Sequence, residues 1–180
     1  MALAETDHEL LAAFRDGEAD AFEALYHRHV SAVLTYVCAM LRDRDAAEDV
    51  VQQVFIGLAR NAATLREGTN VRAYLFTSAR NSVLNVRRQA ASAPKIVAET
   101  FPAGAVAAPP GEKLESEELR QRLNRALETL PEAEREVVLL HTRGELGFRE
   151  IAELTGTPQG TVATRYRTAL AKMREHLSHD

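Results

Sequence analysis

The 180-residue sequence has one cysteine, no tryptophan and no apolar run long enough to cross a bilayer. Its single thiol, Cys38, excludes an internal disulfide and a multi-cysteine zinc site, and the apolar surroundings of Cys38 favour a core residue over a thiol sensor. The first residues, MALAETDHELL, lack the basic, apolar and cleavage zones of a signal peptide. We therefore expect a cytoplasmic protein with no membrane insertion.

The net charge is small, but the charged residues are strongly segregated along the chain. The net charge of -4 is unfavourable for binding nucleic acid as a whole. Residues 72–95 nevertheless carry five bases and no acid, and residues 158–174 carry four bases and no acid. Two basic stripes on an acidic chain predict a DNA-binding protein with a separate protein-facing surface, although solvated helix faces would give the same counts.

Apolar residues recur at helical spacing with no sustained period of two, so the sequence predicts an all-α protein. Thr6 and Glu9 form a capping-box pattern that opens a first helix ending near Arg15. The next helix is expected to be long and to face the core along one stripe: Phe22, Tyr26, His29, Val33, Val37 and Met40. Helices at 45–61 and 70–89 complete a first bundle.

The composition changes at residues 89–113, where 14 of 25 residues are Ala, Pro or Gly. This stretch predicts a flexible linker, 90–113, between a domain at 1–89 and a smaller helical domain at 114–180. Pro131 and Pro158 each stand where a helix should begin. The second domain is therefore expected to hold helices at 114–130, 131–141, 148–154 and 158–177.

Residues 148–177 have the pattern of a helix-turn-helix. Ala152 is small enough for two helices to cross, Gly156 can adopt a positive φ in the turn, and Val162 anchors the second helix. The inside is expected to be sealed by Ile151, Leu154, Tyr166, Ala169, Leu170 and Met173. The outside set can hydrogen-bond base edges and phosphates in a major groove: Gln159, Thr161, Thr164, Arg165, Thr168 and Lys172. A plain helical hairpin is the alternative; the turn glycine and the acid-free second helix together favour DNA binding.

Two helices of the first domain carry an apolar and a polar face. In DAAEDVVQQVF, which starts at residue 45, the expected buried stripe is Ala47, Val50, Val51, Val54, Phe55 and Leu58. The polar face of that helix carries Asp49, Gln52 and Gln53. In VRAYLFTSARNSVLNVRRQ, residues 71–89, the inward set is Phe76, Ala79, Val83 and Val86, and the outer set is Asn81, Asn85 and Arg88. Aromatic, Asn and Arg side chains suit single-stranded DNA, while simple solvation would also explain both polar faces.

In this order, over about residues 20–177, these segments resemble the sigma-70-type sigma factors, in particular the extracytoplasmic-function (ECF) group. DAAEDVVQQVF looks like the family's helix that docks on the clamp coiled coil of the largest polymerase subunit, which implies Asp49, Gln52 and Gln53 as polymerase contacts. RAYLFTSARNSVLNVRR looks like the helix that reads and melts the minus-ten element. The resemblance implies that its DNA-facing residues are Arg80, Asn81, Asn85, Arg87 and Arg88. It also implies that the loop at 62–69 receives a base flipped out of the non-template strand.

The second domain, from LPEAEREVV to ALAKMR, is similar to the family's minus-thirty-five-reading domain, including its LP-x-x-x-R-x-V-x-x-L lead-in. The linker would then correspond to the segment that threads from the polymerase cleft towards the RNA exit path. Tyr74 stands where the family usually has Trp and keeps an aromatic ring with a polar tip at the minus-ten site. Asn85 replaces a common Asp. Ala163 stands where a DNA-contacting Lys or Arg usually follows the turn, and Arg165 and Arg167 are expected to compensate.

The resemblance implies an alternative sigma factor that binds bacterial RNA polymerase core, recognises and melts promoter DNA, and is neither an enzyme nor a binder of a cofactor or metal. An anti-sigma protein is an expected further partner. The net acidity adds a hypothesis: the free chain binds DNA poorly until polymerase separates its domains, and an anti-sigma protein holds them together. A tight, salt-resistant complex of the isolated chain with promoter DNA would contradict that hypothesis.

Three other functions are alternatives to this interpretation. A free-standing helix-turn-helix regulator would share the second domain but bind its operator without polymerase. A helical-bundle metalloenzyme needs paired Glu-x-x-His motifs, and only Glu5 to His8 fits, while His27 and His29 lie on different helix faces. There is also no glycine-rich phosphate loop and no nucleophile with a base beside it. A sigma-like adaptor that no longer binds DNA is the third alternative, which Ala163 keeps open.

Overall fold

The computed structural model describes residues 5–92 and 114–179, and these two ranges form eight α-helices and no strand. The helices are α1 (Asp7–Arg15), α2 (Ala19–Leu41), α3 (Arg44–Asn61), α4 (Val71–Ser92), α5 (Leu114–Thr129), α6 (Glu132–Thr142), α7 (Phe148–Thr155) and α8 (Gln159–His179). The prediction of an all-α fold is confirmed. Helix α4 runs to Ser92, beyond the predicted end at 89, and the rest of the predicted linker, 93–113, lies outside the described residues. The domain limits therefore stay a prediction.

Local capping explains where several helices begin. The Thr6 N–H donates to the Glu9 carboxylate at 2.7 Å, and the Glu9 N–H donates to the Thr6 hydroxyl at 3.3 Å, which is the predicted capping box. The Glu9 carboxylate accepts hydrogen bonds from the Thr6 N–H and, at 2.8 Å, from the Thr6 hydroxyl, and these two bonds, the backbone one first, lower the pKa of Glu9. Asp43 caps α3 by accepting from the Ala46 N–H at 3.0 Å. Pro131 stands immediately before α6, as its missing N–H allows.

The first bundle packs α1, α3 and α4 around the long helix α2. The predicted α3 stripe is buried throughout, as are Phe76, Ala79 and Val83 of α4, while Val86 is only partly buried. The prediction for α2 is wrong at its N-terminal end, where Tyr26 is 37% exposed and Phe22 is partly exposed. Phe22 packs on the Phe14 ring of α1, with centroids 4.9 Å apart, and Phe22 and Tyr26 line an open groove against α3. Buried Tyr36 and Leu25 fill the core instead.

The second bundle comprises α5 to α8 and shares its core with the first. A small cluster of its own contains Ala126, Leu130, Val138, Ala169 and Met173. Other buried residues of α6 to α8, such as Leu140, Ile151 and Val162, belong to the same continuous cluster as the core of the first bundle. Leu170, expected inside, is 39% exposed because it lies about 100° around α8 from buried Ala169. The two bundles are therefore packed against each other, mainly through α2 and α6.

Cys38 is buried, as predicted, and burial raises the pKa of its thiol. Among the described residues, no helix has both the length and the apolar character that a membrane crossing requires.

The start of α1 is tied to α2 by a buried histidine. The side chain of His29 is 1% exposed, its Nε2 lies 2.7 Å from Asp7 Oδ2, and Arg28 donates to the other Asp7 oxygen at 2.7 Å. Burial lowers the pKa of His29, and the charge of Asp7 opposes this only in part. Its Nδ1 has no hydrogen-bond partner. A neutral ring that donates from Nε2 to Asp7 satisfies this geometry, because Nδ1 then carries no proton.

We expect the chain to lose stability as the pH falls through the histidine range. The pKa of His29 is lower in the folded chain than the usual value of about 6.5, so below that pH the unfolded chain binds more protons. Urea unfolding at about pH 7.5 and about pH 5.5 should therefore show a smaller free energy of unfolding at the lower pH. His29→Gln should lose this part of the pH dependence. The matched control is His27→Gln at an exposed site on the same helix, and equal pH dependence in both variants would contradict the expectation.

Candidate nucleic-acid and protein interfaces

The polar face of α3 is exposed in the structure. Its three predicted polymerase contacts, Asp49, Gln52 and Gln53, all lie on the surface, because the buried stripe of α3 turns the opposite side of the helix to the core. None of the three side chains forms a hydrogen bond or an ion pair with another residue in the described ranges. The spacing thus placed the face correctly, and its binding role stays a prediction.

An apolar groove adjoins this polar face. It has a volume of about 540 Å³ between α2 and α3, and Gln52 is one of its lining residues. Its other lining residues are Phe22, Tyr26, Val30, Leu34, Glu48, Val51, Phe55, Ile56 and Ala59. The Tyr26 ring packs edge-on against Phe55, with ring centroids 4.9 Å apart. Sequence reasoning missed the groove because it assigned Phe22 and Tyr26 to the core.

Half of the predicted minus-ten set is open to solvent. Asn81, Asn85 and Arg88 are exposed on α4, and the Arg88 Nε donates to the Leu84 carbonyl within the same helix. Tyr74 is half-buried, and its hydroxyl accepts a hydrogen bond from the Asn61 side chain at 3.1 Å. The aromatic ring therefore lies near the end of α3 rather than on the outer face of α4.

The loop at 62–69, which joins α3 to α4, is anchored to α1. Arg15 donates to the carbonyl oxygens of Ala62 at 2.7 Å and Leu65 at 2.6 Å. At the end of the loop, Asn70 caps α4 by accepting from the Ala73 N–H at 3.0 Å. The loop is therefore held by Arg15 near its start and followed by a capped helix start at Asn70.

Arg80 and Arg87, the other two predicted minus-ten residues, point at the second bundle. Arg80 Nε lies 2.9 Å from Glu136 Oε1, its Nη1 donates to the Leu154 carbonyl at 3.1 Å, and its side chain is only 16% exposed. Arg87 pairs with Glu132 of α6 and also donates to the Met40 carbonyl. We refer to the Arg80–Glu136 and Arg87–Glu132 pairs as the α4–α6 contact.

Buried polar groups surround the α4–α6 contact. The hydroxyl of Tyr36 donates to Glu136 Oε1 at 3.2 Å, and burial together with the nearby Glu136 charge raises the pKa of Tyr36 well above its usual value. Arg135, the arginine of the lead-in motif, is buried and donates to the Ala39 carbonyl at 3.3 Å; burial lowers its pKa. Arg87 and Arg135 thus place positive charge at the C-terminal end of α2, where the helix dipole favours it.

The helix-turn-helix is present as predicted. Gly156 ends α7 with φ +63°, and its N–H donates to the Ala152 carbonyl. The Thr157 N–H donates to the same carbonyl at 3.1 Å, and Pro158 then opens α8. Ile151 and Val162 are fully buried between the two helices and the rest of the core. The turn therefore orients α8 so that Gln159, Thr161 and Thr164 are exposed.

An aromatic trio that sequence reasoning missed joins three helices of this bundle. His141 of α6, Phe148 of α7 and Tyr166 of α8 have ring centroids between 4.8 and 5.4 Å apart. His141 Nδ1 also lies 2.9 Å from the Leu146 carbonyl oxygen. Helical periodicity within each segment gave no signal for this trio, because its members come from three different helices.

The predicted minus-thirty-five residues lie along the outside of α8. Those exposed are Gln159, Thr161, Thr164, Arg167, Thr168 and Lys172. Arg165 is half-buried with its Nη1 3.4 Å from the Thr157 hydroxyl, so it lies against the turn. Lys172 forms an ion pair with Glu134 of α6 at 2.8 Å. Arg167 Nη2 lies 3.5 Å from the Thr164 hydroxyl, so all three cations of the set have a partner within the chain.

Within residues 5–92 and 114–179, His, Cys, Asp and Glu side chains do not gather in a group of three that could hold a metal ion. The geometry defines a helical protein with a helix-turn-helix in its second bundle and a long basic helix in its first. Sigma-70 region 2 matches residues 25–93, and sigma-70 region 4 matches residues 120–173.

The RNA polymerase sigma factor CarQ of Myxococcus xanthus is 32% identical over 164 residues, which cover 91% of this chain and 93% of CarQ. The ECF RNA polymerase sigma-E factor of Escherichia coli K12 is 31% identical over 169 residues, covering 89% of this chain and 88% of that factor. The chain therefore belongs to the sigma-70 family of RNA polymerase sigma factors, in its ECF group. This confirms the prediction of an alternative sigma factor, which is a transcription initiation factor and not an enzyme.

Solved structures share the fold at lower identity. CnrH, solved in complex with the cytosolic domain of CnrY, has a TM-score of 0.66 at 22% identity and covers 98% of this chain and 99% of its own. The sigma factor RpoE of Bartonella quintana, solved with the anti-sigma factor NepR, has a TM-score of 0.64 at 22% identity, covering 88% and 98%. These likenesses confirm the helical sigma-factor fold.

Proposed function

We propose that this chain binds bacterial RNA polymerase core through α3 and directs it to promoters with α4 at the minus-ten element and α8 at the minus-thirty-five element. The observation that carries the proposal is the exposed face of Asp49, Gln52 and Gln53, which has no partner within the described residues and adjoins an apolar groove. Membership of the sigma-70 family supports the choice of partner.

The chemistry of the α3 surface suits a helical protein partner. Interfaces of this kind combine an apolar centre, which supplies most of the binding energy, with a polar rim that sets orientation. The groove supplies aromatic and aliphatic area around Tyr26 and Phe55. The amides of Gln52 and Gln53 and the carboxylate of Asp49 supply hydrogen-bond donors and acceptors beside it. We expect one face of a partner helix to fill the groove.

The minus-ten role rests on α4 and the loop before it. Asn81, Asn85 and Arg88 form an exposed polar face that can hydrogen-bond unpaired bases and attract backbone phosphates. The anchored loop at 62–69 begins directly after Asn61, whose side chain donates to the Tyr74 hydroxyl, and we expect this loop to trap a base flipped from the non-template strand. Such trapping would favour melting, because each captured base no longer pairs with the template strand.

The minus-thirty-five role rests on α8. Side chains near the N-terminal end of a recognition helix reach base edges, and those further along contact phosphates. Gln159, Thr161 and Thr164 therefore are the proposed base contacts, with Arg167 and Thr168 as phosphate contacts. Ala163 is half-buried and too short to reach DNA, so sequence discrimination falls to its exposed neighbours.

An anti-sigma protein is a further proposed partner, and the cytoplasm is the proposed location. The structure of RpoE with the anti-sigma factor NepR supports the first proposal, and membership of the sigma-70 family supports the second. In this chain, an anti-sigma protein would act by covering the α3 surface or by holding the two bundles together.

Run-off transcription tests the proposal. Core polymerase is supplied with a promoter library, with and without this protein, and the transcript starts are sequenced. We expect starts that depend on the protein and share two spaced upstream elements. Sequence-specific DNA binding without any binding to core would instead support a free-standing regulator, and absence of both activities would support an adaptor.

A further inference from the structure

The acidic side of α6 faces the basic side of α4. Glu132 and Glu136 lie one helical turn apart, so their carboxylates lie on the same face of α6. Arg80 and Arg87 lie two turns apart on α4 and reach these two carboxylates. The contact joins residues 45 and 56 positions apart in the chain, so it is tertiary and exists only while the bundles are packed together.

The geometry at Glu136 resembles the way a protein holds a phosphate. A guanidinium group binds a carboxylate or a phosphate through the same charge-assisted N–H donors. Two donors of Arg80, Nε and Nη1, are engaged by Glu136 and the Leu154 carbonyl. The Tyr36 hydroxyl is a third donor directed at this site. A DNA phosphate approaching Arg80 would therefore have to displace α6.

Further contacts hold the bundles in this arrangement. Arg72 of α4 donates to the Arg143 carbonyl at 2.8 Å and pairs with Glu145 at 3.0 Å, just after α6. Arg42 donates to the Glu128 carbonyl at the end of α5. Beneath these polar contacts lies the continuous apolar cluster that includes Tyr36, Phe76 and Leu140. We call this packed arrangement of the two bundles the closed form. Apolar burial stabilises it, and the ion pairs set how the helices of the two bundles align.

We propose that Glu136 and Glu132 are intramolecular competitors for the DNA phosphates that bind α4. While the bundles are packed together, the two carboxylates occupy Arg80 and Arg87; when the bundles separate, both arginines become available to promoter DNA. This inference rests on the proposed minus-ten role of α4. It follows that the apparent affinity of the free chain for single-stranded DNA equals the affinity of the open form multiplied by the fraction of molecules that are open.

The test uses the full chain carrying Glu136→Gln, which keeps the shape of the side chain and removes its charge. The matched control is Glu153→Gln, which removes one charge from an exposed pair with Arg149 within α7. Small-angle X-ray scattering measures opening, since a compact chain of this length has a radius of gyration of about 16 Å. Fluorescence anisotropy measures binding of a labelled single-stranded oligonucleotide of about 12 nucleotides and mixed sequence.

We expect Glu136→Gln to increase the radius of gyration and to tighten binding of the oligonucleotide by about threefold to tenfold relative to Glu153→Gln. Glu132→Gln, at the more exposed pair, should give a smaller effect in the same direction. Circular dichroism verifies that each variant retains its helices. An unchanged radius with binding equal to that of the control would overturn the competitor role. Opening without tighter binding would overturn it for a different reason, because α4 would then not be the DNA-binding face.

Discussion

The double replacement of Asp49 and Gln53 by alanine is expected to weaken binding to RNA polymerase core by about a hundredfold. Both side chains are exposed on one face of α3 and have no partner within the described residues, so their loss removes intermolecular contacts only. The stability of the chain should change by less than about 0.5 kcal/mol. Binding is measured by anisotropy of the labelled chain titrated with core, and stability by thermal unfolding.

The control for this experiment is Glu23→Ala. Glu23 is an exposed acidic residue on α2 that does not line the groove. Core should bind this variant as tightly as the parent chain. If the double variant binds core as well as Glu23→Ala does, α3 is not the docking helix, and the apolar groove beside it loses its proposed role as well.

The replacement Ile151→Ala is expected to lower the free energy of unfolding by about 3 kcal/mol. Ile151 is fully buried where α7 meets the core, and removing its outer carbons leaves a cavity that the packed helices cannot close completely. Because α7 supports α8, binding of duplex minus-thirty-five DNA should weaken in parallel. Urea unfolding gives the first quantity and DNA titration gives the second.

Leu154→Ala is the comparison for this prediction. Leu154 lies on the same helix three residues later, but it is only half-buried. Its replacement should cost about 1 kcal/mol. Equal losses of unfolding free energy for the two variants would show that Leu154 contributes as much to the core as Ile151. That result would contradict the difference in their burial.

The helices and most of their inner faces could be predicted from the sequence, because each depends on neighbours within a few residues. Thr6 with Glu9 fixed the start of α1, and Gly156 fixed the turn before α8. The apolar stripe of α3 was predicted in full. Periodicity shows which way a helix faces but not how far its neighbours extend, so Tyr26 and Leu170 were assigned to a core that does not reach them.

The candidate site could be predicted only where its residues lie on one helix. The exposed faces of α3 and α8 follow from spacing alone, since local geometry sets them. The partners of Arg80 and Arg87 do not, because Glu136 and Glu132 come from a distant helix and the basic stripe of α4 looks the same whether it faces DNA or carboxylates. The aromatic trio around His141 was missed for the same reason.

The side chain of Arg80 binds α6 in the closed chain and is proposed to bind DNA in the open one. Replacement of Arg80 by alanine therefore affects both the closed and the open form of the chain. It removes a contact with DNA, and it also makes opening easier, because the Glu136 carboxylate no longer holds α4. The promoter defect of such a variant would understate the strength of the arginine–phosphate contact, and an alanine scan would rank Arg80 below residues that serve DNA alone.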